Sequence, residues 1–277
     1  MVENSKNIFT VPNIKDFNLQ ETLDCGQCFR WEKDENNWYK GTVKGKTVSV
    51  KIEDNTLYIA NANKDDYEKI WRDYFDLDLD YGKVRANLSA IDDKLKDASS
   101  YCPGIRILRQ EPFEALCSFI ISQNNNIPRI KGIIKKLCEN FGEFNGLDYN
   151  FPTPTVMAEQ TVESLGIIKS GFRAKYLVDA GTKIASGKVD LEKISKTTVE
   201  EARISLMQIK GVGPKVADCT MLYGMYKLEC FPLDVWMKRA MAELFPTLEP
   251  ADFGEFAGIA QQYIFHYSRM NTDIFKK

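Results

Sequence analysis

The amino-acid sequence predicts an α+β protein in which a small antiparallel β-sheet domain precedes a larger all-α part. In the first 60 residues, short runs of β-branched and aromatic residues alternate with turn-forming residues, a pattern typical of strands. From about Lys64 onward, apolar residues recur at helical spacing. This change of periodicity predicts a β-rich N-terminal domain with flanking helices over residues 1–110 and a helical core over residues 111–277.

Four strands are predicted in the N-terminal domain, at residues 29–31, 38–43, 47–52 and 57–59. Polar and glycine-containing turns separate the last three from one another and from the first. Short strands joined by tight turns pair with their neighbours along the chain, so we expect an antiparallel meander.

The helical part is marked by residues that begin helices, either a proline in the first turn or a side chain that caps free backbone amides. These predicted helix starts are Pro112, Asn126, Thr198, Asp234 and Pro250. Thr198 and Glu201 have the spacing of a capping box ahead of a helix over residues 202–209. The last helix is expected to run from Pro250 through Phe265.

Overall charge gives no direct sign of a nucleic-acid partner, because the net charge is −2 and the pI is about 5.7. The charge is unevenly distributed, however. Residues 129–215 contain 14 lysines and arginines against 10 acidic residues, whereas the rest of the chain contains 23 against 29. The middle of the chain can therefore present a positive face.

The seven cysteines are odd in number and irregularly spaced, which indicates reduced thiols in a cytoplasmic protein, associated with the nucleoid if the source is prokaryotic. Cys25 and Cys28 form a C-x-x-C pair, but no second pair of ligands accompanies them. With a single histidine as well, we expect no metal and no cofactor. The sequence shows no signal peptide and no apolar run long enough to span a bilayer.

A glycine-rich turn, Gly211-Val212-Gly213-Pro214, lies between two amphipathic segments and predicts a helix–hairpin–helix over about residues 200–224. Its two glycines permit positive φ and close approach of another backbone. The free amides at the start of the second helix, together with the helix dipole, make a ready phosphate site. A tight turn with glycines for geometry alone is the other interpretation.

Lys215 and Asp234 are the candidate catalytic residues. A lysine in the first turn of a helix opposes the helix dipole, and such local conflicts are expected at functional sites. Taken singly, Lys215 reads as a solvated lysine and Asp234 as an N-cap. The two residues lie nineteen positions apart and accompany the helix–hairpin–helix. Taken together, they favour a catalytic site.

The hairpin with Lys215 and the Leu233-Asp234-Val235 element resemble the helix–hairpin–helix DNA glycosylases, and the spacing resembles the bifunctional members. The resemblance implies that the Lys215 amine attacks the anomeric carbon of an extruded nucleoside while Asp234 stabilises positive charge on the sugar. The base leaves, a Schiff base forms and β-elimination nicks the strand. An amine attacks only when neutral, and the positive field of a helix N-terminus favours loss of its proton.

Further stretches resemble the 8-oxoguanine DNA glycosylases of the eukaryotic type. Cys25-Gly26-Gln27-Cys28-Phe29-Arg30-Trp31 resembles their G-Q-x-F-R-W motif, which implies that the Gly26 carbonyl accepts the N7–H of 8-oxoguanine and repels guanine. The closing stretch, residues 257–265, implies that Gln261 reads the Watson–Crick edge. Phe265 and Cys219 would then enclose the base from its two faces.

The DNA-contacting residues implied by the resemblance lie in two segments and the hairpin. The Asn-Asn-Asn-Ile-x-Arg-Ile segment implies that Asn124 and Arg129 contact the cytosine left behind. The Gly171-Phe172-Arg173 segment implies that Phe172 wedges into the duplex and Arg173 reads the same cytosine. Gly211 and Gly213 would approach the backbone. The implied partner is double-stranded DNA containing 8-oxoguanine, bound by a monomer, with no membrane partner.

This sequence departs from the family pattern at two positions. Phe172 stands where a tyrosine is common, and Trp236 where many members have a histidine near the DNA backbone. Two other functions remain open on the residues: a glycosylase for alkylated or other oxidised bases, and a non-catalytic helix–hairpin–helix DNA-binding module with Lys215 on a phosphate. Relatives that remove alkylated bases typically lack the lysine, which disfavours the first.

Overall fold

The computed structural model describes residues 7–275, which form a five-stranded antiparallel sheet followed by a mostly helical chain. The strands are β1 Ile8–Val11, β2 Trp31–Lys33, β3 Tyr39–Val43, β4 Lys46–Glu53 and β5 Thr56–Ala60. Their order in the sheet is β1-β5-β4-β3-β2, so the predicted meander from β2 to β5 is confirmed. The sequence did not predict β1, because it is held by pairing with a distant strand, with Ile8 opposite Ala60.

Helices account for most of the remaining chain. They are α1 Leu19–Leu23, α2 Lys64–Asp66, α3 Arg72–Tyr74, α4 Tyr81–Ser89, α5 Asp93–Tyr101, α6 Pro112–Ser122, α7 Ile127–Phe141, α8 Pro154–Ala158, α9 Ala174–Ala185, α10 Leu191–Ser195, α11 Val199–Leu206, α12 Pro214–Gly224, α13 Val235–Leu244 and α14 Ala257–Met270. A π-helical turn, Tyr67–Trp71, joins α2 to α3. Single 3-10 turns cover Ser164–Ile168, Gly171–Arg173, Pro250–Phe256 and Thr272–Phe275.

Most of the predicted helix starts are confirmed. The Asn126 side chain accepts a hydrogen bond from the Arg129 amide at 3.0 Å, and Thr198 and Glu201 form the reciprocal capping box. The last helix is different from the prediction. Gly254, at φ 66°, breaks it, so Pro250 opens a 3-10 segment and α14 begins only at Ala257.

The sheet packs its inner face against the segment from α2 to α3. Trp31 of β2 is fully buried there, and its indole Nε1 donates to the Tyr74 hydroxyl at 2.8 Å. Gly41 of β3 faces the same ring, and a Cβ at that position would lie 2.4 Å from it. The strand therefore needs a glycine opposite the tryptophan.

The extended segment between α5 and α6 lies between two hydrophobic cores. Ile105 and Ile107 belong to the large helical core, whereas Leu108 belongs to the core under the sheet. The buried Gln27 side chain fixes this segment, because it donates to the Arg106 carbonyl at 2.7 Å and accepts from the Leu108 amide at 2.9 Å. The loop containing Gly26 is thereby held against the helical part, and the predicted division at residues 110 and 111 stays a prediction.

Within residues 7–275, none of the helices is both long enough and apolar enough to cross a membrane. The same residues contain no group of three or more histidine, cysteine, aspartate or glutamate side chains placed to hold a metal ion.

Candidate active site

The helix–hairpin–helix is built by α11, the turn at residues 210–213 and α12. Gly211 has φ 78°, and a Cβ there would lie 2.3 Å from the Tyr176 ring. Gly213 has φ −100° with open space around its missing side chain. Of the two glycines, only Gly211 uses the positive φ that glycine permits, and Gly213 leaves the turn uncovered on its outer side.

Asp179 of α9 holds the hairpin in place from the side. Its carboxylate accepts a hydrogen bond from the Lys210 backbone amide at 2.7 Å and from the Lys183 ammonium at 2.8 Å. Lys183 also donates to the Gln208 carbonyl at 2.6 Å. Burial raises the pKa of Asp179, but these donors outweigh burial and hold it below the ordinary value. The charged carboxylate of Asp179 thus helps to hold the hairpin turn against α9.

Lys215 and Asp234 line one cleft of about 610 Å³, which Gly26 and Phe265 also line. Lys215 is the second residue of α12, and its Nζ lies 5.1 Å from the centre of the Phe119 ring. Asp234 caps α13, accepting from the Met237 amide at 2.7 Å, and is only half-buried. The cap leaves the carboxylate at the cleft wall, so the capping and the functional interpretation of Asp234 are compatible.

At the inner end of this cleft lies a smaller pocket of about 50 Å³. All the residues predicted to bind the base line it, together with the catalytic pair: Gly26, Lys215, Cys219, Asp234, Gln261 and Phe265. The volume suits a few waters rather than a purine. A base can therefore enter only when the lining residues shift.

Cys219 forms part of the buried wall of this pocket, four residues after Lys215 on α12. Burial raises the pKa of its thiol to about 11, although the nearby Lys215 works in the opposite direction. At neutral pH the side chain is therefore an uncharged thiol and offers a polarisable surface to a base.

The sequence did not point to three side chains that also line the pocket, Phe119, Tyr223 and Gln262. Tyr223 follows Cys219 by four residues and Gln262 precedes Phe265 by three, so helical spacing could have indicated both. Phe119 and Tyr223 stack with ring centres 5.2 Å apart. The Lys215 Nζ lies over the Phe119 ring, so the stacked pair of rings forms the pocket wall next to the amine.

A third opening is lined by Asn124 and Phe172. Lys215 and Asp234 line it as well. Phe172 is 51% exposed, and Asn124 adopts φ 49° on the loop before α7. Arg129 is exposed on the first turn of α7. An aromatic side chain projecting beside a cleft has the position that a wedge into DNA requires.

Arg173 is placed differently from what its predicted role suggests. It is buried, and its guanidinium donates to the backbone carbonyls of Gln123, Asn124 and Ser170. Burial lowers the pKa of Arg173, and the charge of nearby Arg129 lowers it further. Arg173 thus supports the Asn124 loop, and its contact with cytosine stays a prediction.

Trp236, which replaces the family's histidine, has its own partner. Its indole Nε1 donates to the Ser268 hydroxyl of α14 at 2.8 Å, and its ring packs edge-on against Phe275 at 5.0 Å. The tryptophan also lines the main cleft. The Trp236 side chain therefore stabilises the packing of α13 on the C-terminal segment and also forms part of the cleft wall.

The fold and this site define a helix–hairpin–helix protein of DNA base excision repair. Residues 117–252 match the model of the HhH-GPD superfamily of base excision DNA repair proteins. Residues 10–116 match the model of the N-terminal domain of 8-oxoguanine DNA glycosylase.

Individual relatives agree with these matches. The chain is 36% identical to the N-glycosylase/DNA lyase of Saccharomyces cerevisiae over 250 residues, which cover 80% of this chain and 66% of the yeast protein. It superimposes on the Clostridium acetobutylicum 8-oxoguanine glycosylase/lyase, solved with double-stranded DNA containing cytosine opposite 8-oxoguanine, with a TM-score of 0.89, 41% identity and 98% of both chains covered. MBOgg1, solved with a low-affinity DNA ligand, gives a TM-score of 0.92, 44% identity and the same coverage.

The chain belongs to the 8-oxoguanine DNA glycosylase family, a family of N-glycosylases with DNA lyase activity.

Proposed function

We propose that this protein removes 8-oxoguanine from double-stranded DNA, preferentially opposite cytosine, and then cleaves the strand at the abasic site. The observation that carries the proposal is the convergence of Lys215 and Asp234 on one cleft, with Gly26 and Phe265 on its walls. A non-catalytic hairpin protein has no need of a carboxylate that shares a cleft of about 610 Å³ with the lysine.

The chemistry begins with the lone pair of the Lys215 Nζ, which attacks C1′ of the extruded nucleotide. The C1′–N9 bond breaks, its electrons leave with the base, and the base takes up a proton. The sugar ring then opens to a Schiff base between Nζ and C1′. Loss of a C2′ proton expels the 3′ phosphate by β-elimination and nicks the strand.

Asp234 acts on charge that exists only during the reaction. As the glycosidic bond breaks, the sugar becomes cationic, and a carboxylate at the cleft wall stabilises that cation more than the neutral substrate. Its position is fixed beforehand by the hydrogen bond from the Met237 amide. The orientation therefore costs nothing when the bond breaks.

Selection of the opposite base is assigned to the loop before α7 and the Gly171–Arg173 turn. Phe172 is exposed beside the cleft, and Arg173 fixes the carbonyls of the Asn124 loop. With the damaged nucleotide extruded, the wedge occupies its place in the stack. Asn124, Arg129 and Arg173 then supply the polar groups that read the cytosine.

One experiment tests both parts of the proposal. The wild type and Lys215→Gln are incubated with duplexes that carry 8-oxoguanine opposite each of the four bases, with and without borohydride. We expect the wild type to release the base fastest opposite cytosine and to form a covalent adduct that borohydride traps. Lys215→Gln should form no adduct.

The matched control is Lys196→Gln, which removes a lysine that is 71% exposed and pairs with Glu192 on α10. It should behave as the wild type. Full excision by Lys215→Gln would disprove the nucleophile, and equal wild-type rates opposite all four bases would disprove the proposed selection of cytosine.

A further inference from the structure

Behind the base pocket, two consecutive glutamines of α14 form a chain of hydrogen bonds with a fixed direction. The Gln261 Nε2 donates to the Pro232 carbonyl at 3.4 Å, and the Gln261 Oε1 accepts from the Gln262 Nε2 at 2.8 Å. A peptide carbonyl can only accept, and Pro232 offers no amide hydrogen. Gln261 therefore points its amino group at Pro232 and its oxygen at Gln262.

The orientation of the Gln261 amide fixes the orientation of the Gln262 amide. Because the Gln261 oxygen faces it, Gln262 must present its amino group, and the same Nε2 also donates to the Tyr223 hydroxyl. On its other side, the Gln262 Oε1 accepts from the Cys25 thiol at 3.3 Å. Gln262 is only 3% exposed, so an inverted amide would leave like groups facing each other without water.

Tyr223 ends this chain with an unused donor. Its oxygen accepts from Gln262, and within residues 7–275 its own hydrogen has no acceptor. The ring is held by stacking on Phe119, with an interplanar angle of 19°, and the side chain lines the pocket of about 50 Å³. Burial raises the pKa of the Tyr223 phenol well above its ordinary value, so the hydroxyl keeps its proton throughout the working range.

The position of this hydroxyl relates it to one atom of the substrate, on the basis of the proposed function. In that function the Gly26 carbonyl takes the N7–H of 8-oxoguanine, and Gln261 takes the Watson–Crick edge. Gln262 lies between these two readers, because its Nε2 bonds Gln261 and its Oε1 bonds Cys25, the neighbour of Gly26. The Tyr223 hydroxyl is bonded to the same Nε2, so it sits at this junction. On a purine, the group between N7 and the Watson–Crick edge is the one at C6.

We infer that the Tyr223 hydroxyl donates a hydrogen bond to the 6-carbonyl oxygen of the extruded base, and that Gln262 sets it in that direction. Tyr223 is then a specificity-determining residue, and Gln262 is a positioning residue. A 6-oxopurine accepts this bond. A 6-aminopurine places a second donor against the hydroxyl in a buried site, which is costly.

The test combines a change in the protein with a change in the base. Single-turnover excision is measured for the wild type and Tyr223→Phe on 8-oxoguanine and on 2-amino-8-oxopurine, which lacks the 6-oxygen and keeps N7–H. We expect Tyr223→Phe to slow excision of 8-oxoguanine about tenfold, equivalent to ~1.4 kcal/mol, and to leave the rate on the analogue unchanged. The analogue also loses N1–H, but both proteins meet that loss equally.

Tyr263→Phe is the matched control, because the buried Tyr263 hydroxyl on α14 has no hydrogen-bond partner in the described part of the chain, residues 7–275. It should match the wild type on both bases. Gln262→Met keeps the hydroxyl but removes its direction, and it should reduce the preference for 8-oxoguanine over the analogue by a smaller factor. This second variant keeps the test valid if Tyr223→Phe folds poorly.

The outcomes separate this inference from the proposed function. If Tyr223→Phe slows both bases by one factor, or if the preference is unchanged in both variants, the assignment of Tyr223 to the 6-oxygen is overturned while the glycosylase stands. A wild type that neither releases 8-oxoguanine nor forms the trapped adduct overturns the proposed function itself.

Discussion

At the scale of single residues, the buried ion pair between Arg30 and Glu114 connects the sheet to the helical part. The Arg30 guanidinium bonds Glu114 at 3.0 Å and also donates to the carbonyls of Thr42 and Tyr149. The two side chains are 11% and 15% exposed. Burial raises the pKa of Glu114, and the charge of Arg30 opposes that effect. Each charge therefore depends on the other.

We predict that Glu114→Ala lowers the free energy of unfolding by about 3 kcal/mol, because it leaves a buried guanidinium without its counter-charge. Urea unfolding at pH 7 measures the change. Glu53→Ala is the control, since Glu53 pairs with Lys51 but is 57% exposed, and such a surface pair contributes at most about 1 kcal/mol. Equal losses of unfolding free energy in the two variants would show that the buried Arg30–Glu114 pair contributes no more than a surface pair.

The sequence predicted site residues where a residue broke a local rule or matched a motif. Lys215 opposes its own helix dipole, and Asp234 is recognisable as a cap, so both could be selected from the chain alone. Tyr223 and Gln262 break no local rule. Their importance arises from partners far away in sequence, Cys25 for Gln262 and Gln262 for Tyr223, which only the folded chain brings near.

At the scale of elements, local signals gave the starts of α7, α11 and α13, because each start is set by a side chain within three residues. The exceptions depend on longer-range effects. β1 exists through its pairing with β5, and the break before α14 comes from the conformation of one glycine, Gly254. Neither feature can be predicted from the local residue propensities of the sequence.

The hairpin is the element on which Asp179 acts, and its stability should depend on pH. A carboxylate whose folded pKa is depressed stabilises the fold above its unfolded pKa, and this contribution is lost as pH falls through the folded pKa. The pKa of Asp179 is lowered in this way by Lys183 and the Lys210 amide. The contribution should thus be complete from about pH 4 upward.

We predict that Asp179→Ala lowers the free energy of unfolding at pH 7 by about 2 kcal/mol, the range for hydrogen bonds to a charged group. The deficit should stay constant down to about pH 4 and shrink below about pH 3.9. Urea titrations of both proteins at several pH values measure it. Glu192→Ala, which removes an exposed carboxylate of α10, should cause little loss, and a deficit that grows on acidification would contradict the assignment.

At the scale of the whole molecule, the site depends on both cores. Gly26 comes from the loop near the sheet, whereas Lys215, Asp234 and Phe265 come from the helical part, and all four line one cleft. The fold class followed from periodicity alone. The narrowness of the base pocket did not, because it depends on how the two parts pack against each other.

The seven cysteines report on this packing, since all of them are buried. Burial raises the pKa of Cys25 and Cys219 to about 11, and that of Cys138 and Cys230 to about 12. Only thiolates react readily with thiol reagents, so at pH 8 about one molecule in a thousand has a reactive group even at the pocket cysteines. Burial slows the reaction further by excluding the reagent.

We therefore predict that the native protein at pH 8 shows no rapid reaction with a disulfide-exchange reagent, and that all seven thiols react together once urea unfolds the chain. The absorbance of the released thiolate measures both. Lys188→Cys, which places a thiol at an exposed position after α9, is the positive control and should add one fast equivalent. One fast equivalent in the wild type, mapped to Cys25 or Cys219, would mean that the base pocket opens without DNA while the rest of the molecule stays folded, because a narrow, closed pocket protects both thiols.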